Sequence, residues 1–260
     1  MAEKQNATRR DALLARIEGN ASQALDFVGW IFQGLDIPDN ANIVECCCGT
    51  GKQTLEFARR LTPGSRIHAF DIEQKSLDYL TGQLDEAVRD RVEARRLDFN
   101  DFEAVTAAFP DRIDLFFCSY GLYYNKDFAR LLGLVRDRLS ETGRITVVGP
   151  YGRNNDELFS FLQACGVGID DYIVYTAQRF MADVVNWMSD NLKDVRSTTE
   201  RNPVAWDSAD KVFGYWENST FHDPALRDAV AERLAEHFRT HDTFINCKYL
   251  MKATATMILP

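Results

Sequence analysis

The feature that most constrains the fold is a glycine-containing turn between a short apolar run and a helix-like stretch. The turn reads Glu-Cys-Cys-Cys-Gly-Thr-Gly at residues 45–51, after Ile43-Val44 and before the helical stretch at residues 52–61. Glycine lets the backbone approach a ligand closely, and the first turn of the following helix offers N–H groups that lack intrahelical partners. A turn of this kind is where an α/β protein holds a nucleotide-like cofactor.

Apolar runs and helix-like patterns alternate regularly after this turn. Strand-like runs occur at residues 66–71, 92–98, 113–119 and 144–149, and a helix-like pattern follows each of them. The run at 113–119 is almost continuously apolar, which is typical of a central parallel strand buried on both faces. Together with the first strand, this makes five β–α units in succession, which predicts a doubly wound parallel sheet.

The chain changes character after residue 150. An apolar helical pattern from Ile173 to Met188 predicts a small helical cap, and residues 195–206 predict a bent strand. Residues 243–255 alternate at period two, which predicts a final antiparallel strand. We therefore predict an N-terminal helical segment at 1–40, a cofactor-binding core at 41–150, the cap at 151–193, and C-terminal strands and helices at 194–260 that complete the core sheet.

Charge and hydropathy exclude several classes of partner. With 30 Lys and Arg against 39 Asp and Glu, the 260-residue chain has a net charge of −9, which repels nucleic acid. No apolar run has the length of a bilayer-spanning helix, and the polar N-terminus lacks the apolar core of a secretion signal. We therefore predict no membrane partner and a cytoplasmic location. The cysteines are then expected to be reduced, and the triplet at 46–48 lacks the spacing of a metal site, so no metal is predicted.

Three kinds of cofactor loop compete for the glycine turn. A phosphate-binding P-loop requires a leading glycine and a Ser or Thr after its lysine, and residues 46–53 lack both. The dinucleotide fingerprint is matched better, since Gly49, Gly51 and the more distant acid Asp71 fit it, so spacing alone leaves NAD open. Glu45, at the end of the first strand, favours a cationic ligand over a pyrophosphate.

These residues together resemble the class I S-adenosylmethionine-dependent methyltransferase family, of the small-molecule type, over about residues 40–150. The family's first motif is acidic-x-Gly-x-Gly-x-Gly and reads here Glu45-x-Cys47-x-Gly49-x-Gly51, with Cys47 in place of the first glycine. The resemblance implies S-adenosyl-L-methionine as cofactor and S-adenosyl-L-homocysteine as product. It also implies a Rossmann-like α/β fold, with a doubly wound, mostly parallel seven-stranded sheet, an antiparallel C-terminal strand and a small helical cap.

The resemblance assigns cofactor contacts residue by residue. The glycine turn would line the methionine end, Asp71 would accept both ribose hydroxyls, and residues after the third and fourth strands would meet the adenine edge and close beneath the donor. Asp71 and Asp98 could each instead cap the next helix, and this alternative stays open for either acid alone. The predicted cofactor-binding residues are Glu45, Cys47, Gly49, Gly51, Asp71, Ile72, Asp98, Phe99, Ser119 and Tyr120.

Acceptor contacts are expected after the fourth and fifth strands and on the cap, because α/β sheets bind ligands at the carboxyl ends of their strands. In an otherwise acidic chain, arginines near the pocket would grip an anionic or polar group of the acceptor. One of the two adjacent tyrosines could instead pack against the cap. The predicted substrate-binding residues are Tyr123, Tyr124, Asn125, Arg153 and Arg179. No catalytic base is assigned, because none of the four histidines lies in a motif.

The expected reaction is transfer of a methyl group to an O or N atom of a small-molecule acceptor by in-line displacement. An NAD-dependent oxidoreductase is the alternative from another enzyme class, favoured only by the spacing of Gly49, Gly51 and Asp71. The sequence lacks the Tyr-x-x-x-Lys pair of short-chain reductases. A third alternative is a non-catalytic relative that binds the cofactor, which would be expected to lose the cofactor acids; they are present here. The sequence leaves the oligomeric state open.

Overall fold

The computed structural model describes residues 9–257, and these residues form seven strands. The strands are Asn42–Cys46 (β1), Arg66–Asp71 (β2), Val92–Arg96 (β3), Ile113–Ser119 (β4), Leu139–Pro150 (β5), Lys193–Trp206 (β6) and Phe244–Thr256 (β7). They lie in one sheet in the order β3-β2-β1-β4-β5-β7-β6. The strands β1 to β5 pair in parallel.

The last strand runs against its neighbour β5. Tyr151 donates its backbone N–H to the carbonyl of Tyr249, and Met257 donates to the carbonyl of Gly143, so residue numbers rise along one strand as they fall along the other. The predicted Rossmann-like α/β class, with its mostly parallel seven-stranded sheet and antiparallel C-terminal strand, is therefore confirmed.

Helices connect the strands. None of those found between residues 9 and 257 is both long enough and apolar enough to cross a membrane. The helices are Arg10–Gly19, Phe27–Phe32, Lys52–Arg59, Gln74–Gln83, Glu86–Arg89, Phe102–Ala108, Phe128–Arg136, Asp156–Ala164, Asp171–Gln178, Phe180–Asn191, Ala209–Glu217 and Arg227–Thr240, with 3-10 turns at Leu122–Tyr124 and Pro224–Leu226.

Short acidic side chains fix where several of these helical elements begin. Asp101 accepts the backbone N–H of Ala104, and Asp127 accepts that of Arg130. Asp223 does the same for Ala225. Each carboxylate pairs an N–H group that has no intrahelical partner, which stabilises the start of the helix by about 1 kcal/mol.

The chain divides into two compact units, each assembled from separate stretches. The larger unit contains residues 27–149, 180–198 and 251–257 of the described chain. Its core includes the β4 residues, which are buried from Ile113 to Cys118. The ring of Phe57 packs edge-on against Phe32 at 4.7 Å and Phe117 at 5.1 Å between centroids. These contacts anchor the helix that follows the glycine turn against the sheet.

The smaller unit contains residues 9–26, 150–179 and 199–250 of the described chain. Its core centres on Trp206, which is fully buried. The Trp206 ring lies 5.1 Å from that of Tyr215 and 6.1 Å from that of Phe244. Its indole N–H donates to the carbonyl of Gly19, which satisfies the polar end of the ring.

The two compact units do not coincide with the four predicted segments, because each unit contains residues from several segments. Three helices, Asp156–Ala164, Asp171–Gln178 and Phe180–Asn191, occupy the stretch at 151–193 that we predict to be the cap. Residues 1–8 of the first predicted segment and residues 258–260 of the last lie outside the described residues. The three boundaries between the four predicted segments stay a prediction.

Candidate functional site

The glycine turn after β1 has a backbone that only glycine adopts easily at two positions. Gly49 has φ 54° and Gly51 has φ 83°, both in the left-handed region. A Cβ atom on Gly51 would overlap the side chain of Leu80, which lies on the helix Gln74–Gln83. The amide of Gly51 donates to the carbonyl of Cys48 at 2.9 Å, which closes the turn. The sequence therefore keeps glycine at Gly51 for both conformational and steric reasons.

Asp71, the last residue of β2, holds this turn from the neighbouring strand. Its Oδ2 accepts the backbone N–H of Gly49 at 2.8 Å, and its Oδ1 accepts that of Glu73 at 2.9 Å. Burial raises the pKa of Asp71, while the N–H groups of Glu73 and Gly49 oppose that rise. An ionised carboxylate has about four acceptor positions, so Asp71 keeps acceptor capacity for the hydroxyl groups of a ribose.

Glu45 on β1 is a buried acid with an unpaired carboxyl oxygen. It is 2% exposed, and among the described residues its Oε2 atom has no hydrogen-bond partner. Burial raises the pKa of Glu45 to about 8, although the nearby hydroxyl of Thr54 opposes that rise. A buried carboxyl group with an unpaired oxygen is costly unless a donor or a cation completes it. Glu45 therefore fits a ligand that brings positive charge, such as the sulfonium donor that the resemblance implies.

Cys47 occupies the position of the family's first glycine with a strained backbone. Its φ of 58° is left-handed, a region that costs a residue with a side chain about 1–2 kcal/mol. Gly121, which follows β4, faces it so closely that a Cβ atom on Gly121 would overlap the Cβ and Sγ atoms of Cys47. The next nearest side-chain atom is the Sγ of Cys118, at an ordinary 3.5 Å. Cys47 and Gly121 therefore form a complementary pair that makes room for the larger residue in the turn.

Gly121→Ala is expected to destabilise the protein by about 1–3 kcal/mol, because the added methyl group overpacks against Cys47. Cys47→Gly removes the overlapping atoms, so the double variant is expected to regain most of that loss, measured by urea unfolding of the four proteins in a double-mutant cycle. Gly82→Ala is the matched control, because a Cβ on Gly82 would meet nothing within 4 Å. Additive effects of the two substitutions would contradict the pairing.

The loops after β3 and β4 are joined by side-chain amides. Asp98 Oδ1 accepts the backbone N–H of Asn100 at 2.9 Å, and Asn100 Oδ1 accepts that of Lys126 at 2.8 Å. Asn125 donates its Nδ2 to the carbonyl of Phe99, and its Oδ1 accepts the N–H of Asp127 at 2.8 Å. Asn125, at 9% exposure, thus uses both ends of its amide within the protein. Its predicted contact with an acceptor stays a prediction.

Two of the predicted cofactor-binding residues, Phe99 and Tyr120, make aromatic contacts. Phe99 is buried and packs edge-on against Phe70 at 6.3 Å. Ile72 is 40% exposed, and its predicted contact with the adenine stays a prediction. Tyr120 has φ 56°, and its ring packs edge-on against Phe27 at 5.8 Å. A strained tyrosine directly after β4 is typical of a functional site.

The remaining site residues divide between the two units. In the larger unit, Ser119 is partly exposed at the end of β4. The Tyr123 ring lies 4.6 Å from that of Tyr124 and 6.0 Å from that of Phe180, so it contacts the helix Phe180–Asn191, in the segment that we predict to be the cap. Tyr124 is 42% exposed.

The two predicted acceptor-binding arginines belong to the smaller unit. The side chain of Arg153 is 78% exposed and forms an ion pair with Asp156 at 2.8 Å. Arg179 follows the helix Asp171–Gln178 and is exposed. Their role in acceptor binding stays a prediction.

Sequence reasoning missed three residues of the site. Gly121 could have been noticed as a glycine directly after a strand, whereas nothing in the pattern marks Phe27 or Asn100 as neighbours of the loops. No group of three or more His, Cys, Asp or Glu within residues 9–257 is placed to hold a metal ion. The site therefore contains a glycine turn, an acid that can accept hydrogen bonds from a ribose (Asp71) and a buried acid that suits a cation (Glu45). Together they fit S-adenosylmethionine.

Comparison with known proteins gives three findings. A family model described as "Methyltransferase domain" matches residues 37–207. A curated demethylmenaquinone methyltransferase of Lactobacillus johnsonii is 22% identical over 171 residues, which cover 59% of this chain and 68% of that protein.

Solved structures share the fold. The YcgJ protein of Bacillus subtilis aligns over 90% of this chain and 98% of its own with a TM-score of 0.61 and 12% identity. A SAM-dependent methyltransferase from Geobacter sulfurreducens, in complex with S-adenosyl-L-homocysteine, aligns over 88% of this chain and 90% of its own with a TM-score of 0.53 and 14% identity. At this level of identity the likeness concerns the fold alone.

Proposed function

The chain belongs to the methyltransferase-domain family, as an S-adenosylmethionine-dependent methyltransferase of class I, and from this premise we propose that it methylates an oxygen or nitrogen atom of a small-molecule acceptor. The observation that carries the cofactor part of the proposal is the pair of acids at the glycine turn, Glu45 and Asp71. One has an unpaired buried oxygen, and the other keeps acceptor capacity beside the turn. A cationic ligand would favour the ionised form of Glu45, whereas a pyrophosphate would disfavour it.

S-adenosylmethionine supplies a methyl group already activated by the positive charge on its sulfur. The protein's task is then to hold the acceptor in line with that methyl group, a proximity effect worth up to about 7–11 kcal/mol. Asp71 would fix the ribose through its two hydroxyls, and Glu45 would face the cationic methionine end. We assign no catalytic base, since one is needed only for a hydroxyl or a protonated amine.

The acceptor is proposed to be a small molecule. The Lactobacillus johnsonii relative is named for a small acceptor, demethylmenaquinone, which supports this class. Tyr123, Tyr124 and Asn125 follow β4, where α/β sheets bind their ligands. We propose that Arg153 and Arg179 bind a polar or anionic group of the acceptor. A cytoplasmic location without nucleic-acid or membrane partners is likewise proposed, on the net charge of −9 and the sequence hydropathy.

Titration calorimetry is the direct test of the cofactor half of the proposal. We expect S-adenosylhomocysteine to bind and NADH not to bind, because the cationic amino group of the thioether favours an ionised Glu45, whereas a pyrophosphate disfavours it. Binding of NADH together with no binding of S-adenosylhomocysteine would overturn the proposal. For the acceptor half, Arg153→Ala and Arg179→Ala are each compared with the unchanged protein in methyl transfer to a panel of small alcohols, amines and acids. Unaltered acceptor KM values in both variants would remove the arginines from the site.

A further inference from the structure

Lys248 on β7 is a buried lysine without a carboxylate partner. It is 8% exposed, and no ion pair within 4.0 Å involves it among the residues that the structure describes. Its ammonium group donates to Oδ1 of Asn155 and to the hydroxyl oxygen of Tyr215, both at 2.6 Å. All three side chains belong to the smaller unit. The ammonium group of Lys248 also lies 4.2 Å from the centroid of the Tyr215 ring. A buried positive charge that meets two neutral oxygens and an aromatic face, but no carboxylate, is costly unless an anion completes it.

Lys252, four residues further along β7, shows how a structural lysine is satisfied in the same strand. Its ammonium group, in the larger unit, donates to three carbonyl oxygens, those of Trp30, Ile31 and Gln33, at 3.1, 3.3 and 2.9 Å. These carbonyls end the helix Phe27–Phe32, where a positive charge is favourable. All three N–H groups of Lys252 thus have oxygen acceptors, whereas Lys248 has two oxygen acceptors and the face of the Tyr215 ring.

Two further groups beside Lys248 lack a partner. Asn246 is fully buried and donates its Nδ2 to Oδ1 of Asn155 at 3.0 Å, but its own Oδ1 has no partner among the described residues. The Tyr215 hydroxyl accepts from Lys248, and the described residues provide no acceptor for its proton. Asn155, on which the cluster converges, is itself held at φ 64°, a left-handed backbone that asparagine tolerates. The cluster therefore presents two donors that lack an oxygen acceptor, one of them charged, and one unused acceptor.

We propose that Lys248, Tyr215 and Asn246 bind a small hydroxy or amino carboxylate. The carboxylate would accept hydrogen bonds from the ammonium group of Lys248 and from the hydroxyl group of Tyr215. The neighbouring hydroxyl or amino group of the ligand would donate to Asn246 Oδ1. Such a ligand satisfies the buried charge and the orphaned acceptor at once, which neither a bare anion nor a neutral molecule does. Lys248 and Tyr215 each keep 8% of their surface accessible, so the cluster is covered rather than sealed.

The test uses glycolate as the probe on the full chain without cofactor, so its outcome is independent of methyl transfer. Thermal unfolding is followed while glycolate replaces chloride at constant ionic strength, with acetate and neutral glycolamide as matched probes. A ligand that binds only the folded state raises Tm in a saturable way. We expect a saturable rise with glycolate, a weaker one with acetate, and none with glycolamide.

Variants identify the site. Lys248→Met is expected to weaken glycolate binding at least tenfold, whereas the control Lys252→Met keeps it despite a lower starting Tm. Asn246→Leu is expected to abolish the preference for glycolate over acetate. If Lys248→Met does not fold, Tyr215→Phe is used instead, because it keeps the ammonium group and the ring. This variant is expected to weaken glycolate binding several-fold. The proposal is overturned if glycolate gives the wild-type protein no saturable rise in Tm up to about 100 mM, a concentration far above millimolar dissociation constants. It is also overturned if the Lys248 or Tyr215 variant shows the same rise in Tm as the wild-type protein.

Discussion

Replacing Asp71 by alanine is expected to weaken binding of S-adenosylhomocysteine by about 100-fold or more. Hydrogen bonds to a charged group contribute about 1.5–3 kcal/mol each, and a tenfold loss corresponds to about 1.4 kcal/mol. The substitution removes the acceptor proposed for two ribose hydroxyls and also the two bonds to the backbone N–H groups of Gly49 and Glu73. The glycine turn then loses the support of β2. Titration calorimetry measures the effect directly.

Two comparison variants separate the lost charge from the lost support. Asp71→Asn keeps one acceptor oxygen but turns an NH2 group towards one of the backbone donors, so an intermediate loss is expected. Asp78→Ala is the matched control, because Asp78 is exposed and contacts Gln74 at 2.8 Å on the same helix rather than the turn. Its affinity should stay within about twofold of the unchanged protein, as is usual for surface positions. Unchanged binding in Asp71→Ala would show that the cofactor does not rest on this acid.

The strand positions follow from the sequence because buried parallel strands are continuous apolar runs. The predicted β4 at residues 113–119 has the observed bounds of Ile113–Ser119, and it is buried almost throughout. The acids at strand ends are predictable for the same reason, since a strand that ends at the ligand edge places its next polar residue there. Asp71 ends β2 as predicted, whereas β3 ends at Arg96, two residues before Asp98.

Apolar spacing is misleading where a helix is followed closely by a strand. The pattern through Phe128 and Val135 also includes Leu139, which predicts one helix closed by Gly143. That prediction is wrong, because the helix ends at Arg136 and Leu139 begins β5, where it pairs with Ile113. An irregularity follows before Arg144 resumes the pairing with Leu115. A leucine at the right spacing cannot distinguish the last turn of a helix from the first residue of a strand.

Contacts between distant parts of the chain leave no local pattern. The fit of Cys47 against Gly121 depends on the approach of two loops, and the meeting of Lys248 with Asn155 and Tyr215 depends on three separate elements. A substitution at the first glycine of the motif therefore reads as a small departure in the sequence, although the structure compensates for it at a residue 74 positions later. Such compensation is visible only once the backbone is placed.

Binding of the cofactor near neutral pH is expected to release close to one proton from Glu45. Burial raises the pKa of this carboxyl group from 4.5 to about 8, so the free protein holds it protonated at neutral pH. A cation beside it favours the charged form and lowers its pKa, which drives the proton off. Calorimetry of S-adenosylmethionine binding in buffers of different ionisation enthalpy measures the number released. 5′-Methylthioadenosine, which lacks the charged sulfonium and amino acid end, should release none.

The same group makes the free protein less stable as the pH rises. The folded state holds the proton up to about pH 8, while the unfolded chain loses it near pH 4.5, so the folded state binds more protons between these values. At about 1.4 kcal/mol for each pH unit, Glu45 lowers the free energy of unfolding by about 5 kcal/mol across this interval. Glu45→Gln, which keeps the shape without titrating, should flatten that decline and abolish proton release. A decline of the same slope in Glu45→Gln, or undiminished proton release, would place the titrating group elsewhere and leave the buried oxygen of Glu45 without its proposed partner.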